Sequence, residues 1–241
     1  SAASDVYKRQ GLFDLTPFSK FEIKSDKAHQ ELQRICTANI KNEIGKCTYT
    51  QMLNNDGGIE TDLTVVCIDK NHFRIISSAA TRERDKFHIK KHLSSKIELK
   101  DVTDDFCVFG LFGPKSRDLI KTLSNDNFEN NDFKFASAKF ITIQKIKIWA
   151  QRLSYVGELG YELYVEFKDA KKIYELIVEA GKNFYLSNCG MHAMDIMRME
   201  RGFLHWGHDI SPEENQYQAG LTLTISNKKN VEFIGKSALE K

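Results

Sequence analysis

One local pattern recurs four times along this chain of 241 residues and narrows the folds open to it: a short apolar strand, a polar turn, then an amphipathic helix. Phe21-Glu22-Ile23 leads through Ser25-Asp26 into a helix over 28–35, and Phe73 to Ile76 leads through Ser77-Ser78 into one over 82–93. Cys107 to Leu111 leads through Gly113-Pro114 into 115–123, and Glu162 to Phe167 leads through Lys168-Asp169 into 170–180, with Gly181 as a stop. Each turn carries a helix-start residue, Ser, Asp or a proline at the first helical position. Apolar residues then fall three and four apart, as at Ile173, Leu176, Ile177 and Ala180. Further β-rich runs lie at 63–68, 140–143 and 146–149. Nothing repeats as a parallel βαβ unit, so the pattern predicts an α+β fold. Four units divide into two pseudo-duplicated halves of antiparallel sheet with helices on one side, parting near 100–105.

Composition removes several classes of function. A net charge of +2 without a basic stripe gives no nucleic-acid surface. No apolar run is long enough to span a bilayer, and nothing calls for a membrane partner. The five cysteines are scattered, odd in number and without a CxxC pair, which predicts buried, reduced thiols in an intracellular protein, cytoplasmic or in the mitochondrial matrix of a eukaryote. Residues 1–10 lack periodicity and read as a non-native leader, leaving 11–241 as one domain.

Three segments carry candidate chemistry. In Ser154-Tyr155-Val156-Gly157-Glu158-Leu159-Gly160-Tyr161-Glu162 the glycines make a tight loop that feeds a strand, with Tyr155 and Glu162 at its two ends. The pair suits a flat ligand with ring edges and donors, or else Tyr155 simply caps a turn. Gly57-Gly58 launches the strand that begins near Asp62, and alternation puts Asp62 and Thr64 on one face. If that face is the core, Asp62 is a costly buried carboxylate, and otherwise it is a solvated edge residue. The helix 194–201 places Met194, Met197 and Arg198 on one side, with Asp195 or Glu200 as partner for Arg198. In His205-Trp206-Gly207-His208-Asp209 a metal site lacks a third spaced ligand, so no metal is expected, whereas Trp206 can wall a flat ligand. No GxSxG, P-loop or dinucleotide fingerprint occurs.

Taken in order, Asp14 to Phe21, Tyr49-Thr50-Gln51-Met52-Leu53-Asn54, Gly57-Gly58 through Val65, Phe112-Gly113-Pro114, Tyr155 to Glu162 and Arg198-Met199-Glu200 resemble the folate-binding domain of the glycine-cleavage T-protein (aminomethyltransferase) family. The likeness covers about 12–239. Thr16 to Lys20, Asp62 to Val65, His205-Trp206 and Ala219-Gly220-Leu221 are most similar to the C-terminal half of dimethylglycine and sarcosine dehydrogenases. The resemblance implies a tetrahydrofolate site with Asp62 as the catalytic carboxylate beside the reacting nitrogens. It implies that Tyr155 and Glu162 hold the pterin and that Trp206, Leu53 and Arg198 line the site. Glycine-cleavage proteins often have an arginine where this chain has Met194, which points away from the lipoyl-protein branch. The implied activity is transfer of a methylene or aminomethyl group from an N-methylated amine to tetrahydrofolate. The implied architecture adds an N-terminal FAD oxidase domain, which alone would bind FAD, and a C-terminal barrel, so that the chain is a fragment. The alternative is a non-catalytic folate-binding or structural module of a larger flavin oxidoreductase.

Overall fold

The computed structural model describes residues 6–7 and 9–240. In chain order the strands are β1 (Gln10–Asp14), β2 (Ser19–Lys24), β3 (Cys47–Leu53), β4 (Ile59–Asp69), β5 (His72–Ser77), β6 (Leu99–Asp101), β7 (Phe106–Phe112), β8 (Ala138–Ile143), β9 (Ile146–Gln151), β10 (Gly160–Glu166) and β11 (Leu186–Cys189). The main helices are α1 (Ala28–Ile35), α2 (Arg82–His92), α3 (Ser116–Leu123), α4 (Phe167–Gly181) and α5 (Met191–Glu200). All four strand–helix units are present. The fourth differs from expectation, because Lys168-Asp169 is already helical and α4 follows β10 without a turn. Asp169 then lies in the first turn, where a carboxylate favours the positive end of the helix dipole.

Two compact units result. The first joins the segment up to Pro17 to Asp104–Phe203, and the second joins Phe18–Thr103 to Leu204–Lys241. The break between halves thus falls near the anticipated position, but each terminal segment joins the opposite half.

In the first unit six strands run in the order β11-β1-β7-β10-β9-β8. The pairs are antiparallel except β1 with β11, which is parallel, a departure from the purely antiparallel sheet expected. Leu119 and Ile120 of α3 and Ile173 and Ile177 of α4 pack on one face of that sheet, against Leu111, Ile141, Ile148, Leu163 and Val165. Tyr161 is fully buried there, with Phe128 edge-on at a centroid distance of 5.5 Å and Phe133 at 5.4 Å. The segment expected to be a leader lies partly outside the described residues, but its last residue, Gln10, is 1% exposed and begins β1. The Gln10 side chain donates to the Phe184 carbonyl and accepts from the Lys115 N–H, so this position is part of the fold.

In the second unit five strands run antiparallel in the order β3-β4-β5-β2-β6. Ala28, Leu32 and Ile35 of α1 and Ile89 of α2 fill one face with Phe21, Ile23, Leu63, Val65, Cys67, Phe73 and Ile75. A second apolar cluster forms from Leu53, Ile59, Ile210, Phe233 and Leu239, so the 204–241 segment supplies a core of its own. The cysteines are all free, and four of them are buried. Among the described residues no helix is long and apolar enough to cross a membrane.

The β3–β4 connection fixes the register of this sheet. The Asn54 side-chain oxygen accepts from the N–H groups of Asp56 and Gly58, both at 2.9 Å, and Gly57 has φ +86°. A Cβ at Gly58 would stand 1.9 Å from the Pro212 carbonyl oxygen, which is backbone and cannot swing aside. Gly58→Ala is therefore expected to cost about 2–3 kcal/mol by overpacking, read as a lowered midpoint of denaturant unfolding. A stability change near zero would show that Pro212 moves freely.

Candidate active site

Asp62 lies near the start of β4, where burial alternates strictly from Ile59 to Val65. Leu63 and Val65 enter the helix-covered core, so Asp62 faces the opposite side of the sheet. Its face is thus not that core, yet the residue is only partly open to solvent and lies on an internal strand of the sheet. Across the ladder Asp62 is paired with Gln51, itself fully buried, and Gln51 Nε2 donates to Asp62 Oδ1 at 2.7 Å. The Tyr49 hydroxyl is a second hydrogen-bond partner. Burial pushes the Asp62 pKa up to about 6 against those two hydrogen bonds, and the nearby Asp85 carboxyl pushes the same way. Asp85, in the first turn of α2, is itself raised to about 6 by burial, although Thr81 Oγ1 donates to it at 2.6 Å. A carboxyl group that titrates near neutrality and meets neutral donors can accept and return a proton.

Leu53 and Trp206 belong to the same unit. Leu53 is fully buried in the second apolar cluster, and Trp206 is partly buried against it. The indole Nε1 donates to the Ile59 carbonyl at 2.9 Å, and the Arg84 guanidinium lies 4.8 Å from the ring centroid. The nearby His205 and His208 rings approach to 4.5 Å, while Asp209 Oδ2 accepts the His205 backbone N–H.

The first unit holds the remaining candidates. Glu162 on β10 is opposite Gln151 on β9 and Gly110 on β7. Gln151 Nε2 and the Tyr164 hydroxyl both donate to Glu162 Oε2, at 3.1 and 3.2 Å. Burial raises the Glu162 pKa in spite of those bonds. Oε1 accepts none of the described side-chain bonds and remains available to a ligand N–H. Tyr155 stacks on Phe203 at a centroid distance of 6.2 Å and an interplanar angle of 19°. Gly157, at φ +70°, brings the loop close to Arg201: a Cβ there would meet Arg201 Cγ at 2.4 Å. Arg198 is 4% exposed, donates to Asp195 Oδ1 at 2.7 Å and to the Phe203 carbonyl at 3.0 Å, and so fixes the backbone that carries the Tyr155 stacking partner.

The sequence reading did not single out Gln51, Gln151, Tyr164 or Phe203 individually. The signal for the two glutamines lies in the pairing of strands, which puts each opposite a carboxylate.

Asp62 also carries a stability consequence. Its folded pKa of about 6 exceeds the ordinary 3.8, so between these values the folded state binds more protons than the unfolded one. The contribution of Asp62 to stability therefore falls as pH rises from about 4 to 6 and stays unfavourable above. Asp62→Asn, which keeps an acceptor for Gln51, is expected to stabilise the protein by about 1–3 kcal/mol at pH 7 and by almost nothing at pH 4. Paired unfolding curves at the two pH values check this, and an equal effect at both would remove Asp62 as the source.

Comparison with known proteins identifies the family of the chain. The chain is 36% identical over 231 residues to a formaldehyde-forming 4-methylaminobutanoate oxidase of Paenarthrobacter nicotinovorans, covering 95% of this chain and 28% of that protein. It is 32% identical over 243 residues to the mitochondrial dimethylglycine dehydrogenase of Rattus norvegicus, covering 100% of this chain and 28% of that protein. The chain thus spans little more than a quarter of the length of these relatives. Among solved structures, the glycine cleavage system aminomethyltransferase T of Bartonella henselae superposes with a TM-score of 0.86 at 21% identity, over 99% of this chain and 64% of that one, which shows a shared fold. The family model described as the GCVT N-terminal domain matches residues 2–229, nearly the whole chain, and the chain belongs to that family.

Proposed function

We propose that this chain is the folate-dependent one-carbon transfer domain of an enzyme acting on an N-methylated amine, with methylenetetrahydrofolate as product. The observation that carries the proposal is the Asp62 carboxyl, desolvated, poised at about 6 and hydrogen-bonded by neutral side chains. The names of the relatives support the donor class, since two of them act on N-methyl amines by name. Oxidation of the amine is assigned to a flavin-bearing part of a longer protein, and residues 11–241 to the folate step.

The donor set fits a reduced pterin. The amino-pyrimidine edge offers N–H groups to a carboxylate, and Glu162 has Oε1 available for them. Tyr155, held flat by Phe203, offers a ring face. Bound tetrahydrofolate supplies the nitrogens that take up the one-carbon unit. Asp62 accepts the proton that leaves a reacting amine nitrogen and holds that nitrogen's lone pair toward the incoming carbon. Arg198 acts through the Phe203 backbone, and Leu53 and Trp206 form apolar packing around Ile59 at the start of β4.

Two substitutions separate binding from chemistry. Glu162→Ala is expected to weaken tetrahydrofolate binding roughly 10- to 100-fold in calorimetric titration, the loss of a charge-assisted hydrogen bond. Asp62→Asn is expected to retain binding within a few-fold while the transfer rate falls about 10²- to 10⁴-fold. Binding by the parent that Glu162→Ala leaves untouched would overturn the assignment of Glu162. Unchanged turnover in Asp62→Asn would favour a module that binds without catalysing.

A further inference from the structure

Behind Gln51 the second unit buries a polar network that the proposed reaction does not itself require. Gln216 is fully buried, and its Nε2 lies 2.7 Å from Gln51 Oε1, 2.7 Å from Thr224 Oγ1 and 3.0 Å from Thr37 Oγ1. Thr224 Oγ1 is also 2.5 Å from Gln51 Oε1, and Thr224 is 3% exposed. Thr37 Oγ1 reaches the Thr224 carbonyl at 3.2 Å and Thr50 Oγ1 at 3.3 Å. These residues come from β3, from the turn after α1 and from the 204–241 segment.

With Asp62 ionised, the hydrogen-bond polarity of the network sets the direction of the Gln51 amide. Asp62 Oδ1 accepts, so Gln51 turns Nε2 toward it and Oε1 away. That oxygen needs donors: Gln216 Nε2 supplies one at 2.7 Å, and the Thr224 hydroxyl, 2.5 Å away, divides its single proton between Gln51 Oε1 and the Leu221 carbonyl at 2.6 Å. Flipping the Gln51 amide alone would set two oxygens together at Asp62 and two donors together at Gln216. Flipping Gln216 as well would repair only the inner contact. The Gln216 Oε1 atom is buried without a hydrogen-bond partner, which is what remains when a chain of amides is oriented from its far end.

We propose that Gln216 and Thr224 are positioning residues for Asp62: by donating to Gln51 Oε1 they lock the Gln51 amide, keep Asp62 Oδ1 as an acceptor, and confine the proton that Asp62 exchanges to its other oxygen. This rests on the reading of Asp62 as the proton-transfer group. The other groups that bear on its titration are the Tyr49 hydroxyl from β3 and the Asp85 carboxyl from α2, and neither belongs to the network. Loss of a donor behind Gln51 lets the amide turn, which weakens the bond that favours the ionised carboxylate.

The test follows the Asp62 carboxyl by carbon NMR in the whole protein labelled at aspartate carboxyls, with the signal assigned by its loss in Asp62→Asn. Gln216→Met, nearly isosteric and without donors, is expected to raise the Asp62 midpoint by about half a unit to one unit. Thr224→Val is expected to move it the same way, and Thr224→Ser, which restores the hydroxyl, to leave it in place. In folate-dependent transfer the acid limb of the kcat profile should move with the midpoint, while KM for tetrahydrofolate stays within about two-fold, since a residue acting through Asp62 affects the chemical step. An unchanged midpoint in folded Gln216→Met and Thr224→Val overturns the proposal. Should Gln216→Met fail to fold, the Thr224 pair decides: Val shifted and Ser unshifted supports it, both shifted alike or neither shifted overturns it. A parent protein that binds no tetrahydrofolate would overturn the functional reading instead, and the carboxyl titration would still decide the network.

Discussion

The hydrogen bond from Gln51 to Asp62 is the interaction around which the second unit is organised. It exists only in one register of β3 against β4, because a slip of one residue would send every side chain of a strand to the other face. The turn built on Asn54 and Gly58 holds that register, and the alternation of β4 sends Leu63 and Val65 into the helix-covered core as it turns Asp62 the other way. An acidic group there would ordinarily be hydrated. Here its cross-strand partner is a fully buried glutamine, whose own amide is satisfied by the 204–241 segment. A carboxylate at the strand's start thus places a demand on residues more than a hundred positions away in the sequence.

The first unit solves the same problem with the same pair of residue types. Glu162 faces Gln151 across the β9–β10 ladder, and Gln151 Oε1 accepts in turn from Trp149 Nε1 at 3.3 Å. In both units a glutamine on one strand donates to an acid on the next, and a donor behind the glutamine fixes which way its amide points. The difference lies in the backing. Trp149 is on the same strand as Gln151, whereas Gln51 depends on Gln216 and Thr224, distant in the chain. The orientation of Glu162 is accordingly a local property of one hairpin, and that of Asp62 is a tertiary one.

The same distinction explains what the sequence discloses. Three of the four strand–helix units are legible through local periodicity: Ala28, Leu32 and Ile35, or Ala170, Ile173 and Ile177, repeat along one helical face and are buried on it, whereas α2, expected to be amphipathic, buries Asp85, His88 and Ile89 and leaves Phe87 exposed. Pairing of β1 with β11 is not legible, since it joins Gln10–Asp14 to Leu186–Cys189 and the first residue is a buried glutamine that breaks the apolar pattern. The face of Asp62 was open in the sequence because an alternating strand has two faces and does not say what covers them. Its chemistry came from resemblance to a family, through the order of short motifs. Gln216 and Thr224 carry no charge, periodicity or motif, and only their distances identify them.

Neutral donors also determine what these acids can do. Glu22, on β2 of the same sheet as Asp62, has Arg74 at 2.6 Å and His72 at 2.9 Å, and its pKa falls to about 2 despite burial. A carboxylate so paired stays ionised throughout the physiological range and cannot serve as a proton acceptor that later reverts. Asp62 is desolvated too, but an amide and a phenol stabilise its charge far less than a guanidinium does, and its pKa settles near 6. An arginine in place of Gln51 would satisfy the same oxygen and add stability, yet it would hold the acid ionised. The amide keeps the carboxyl oriented while leaving protonation within reach, at a cost in stability that a merely structural acid would have no reason to carry.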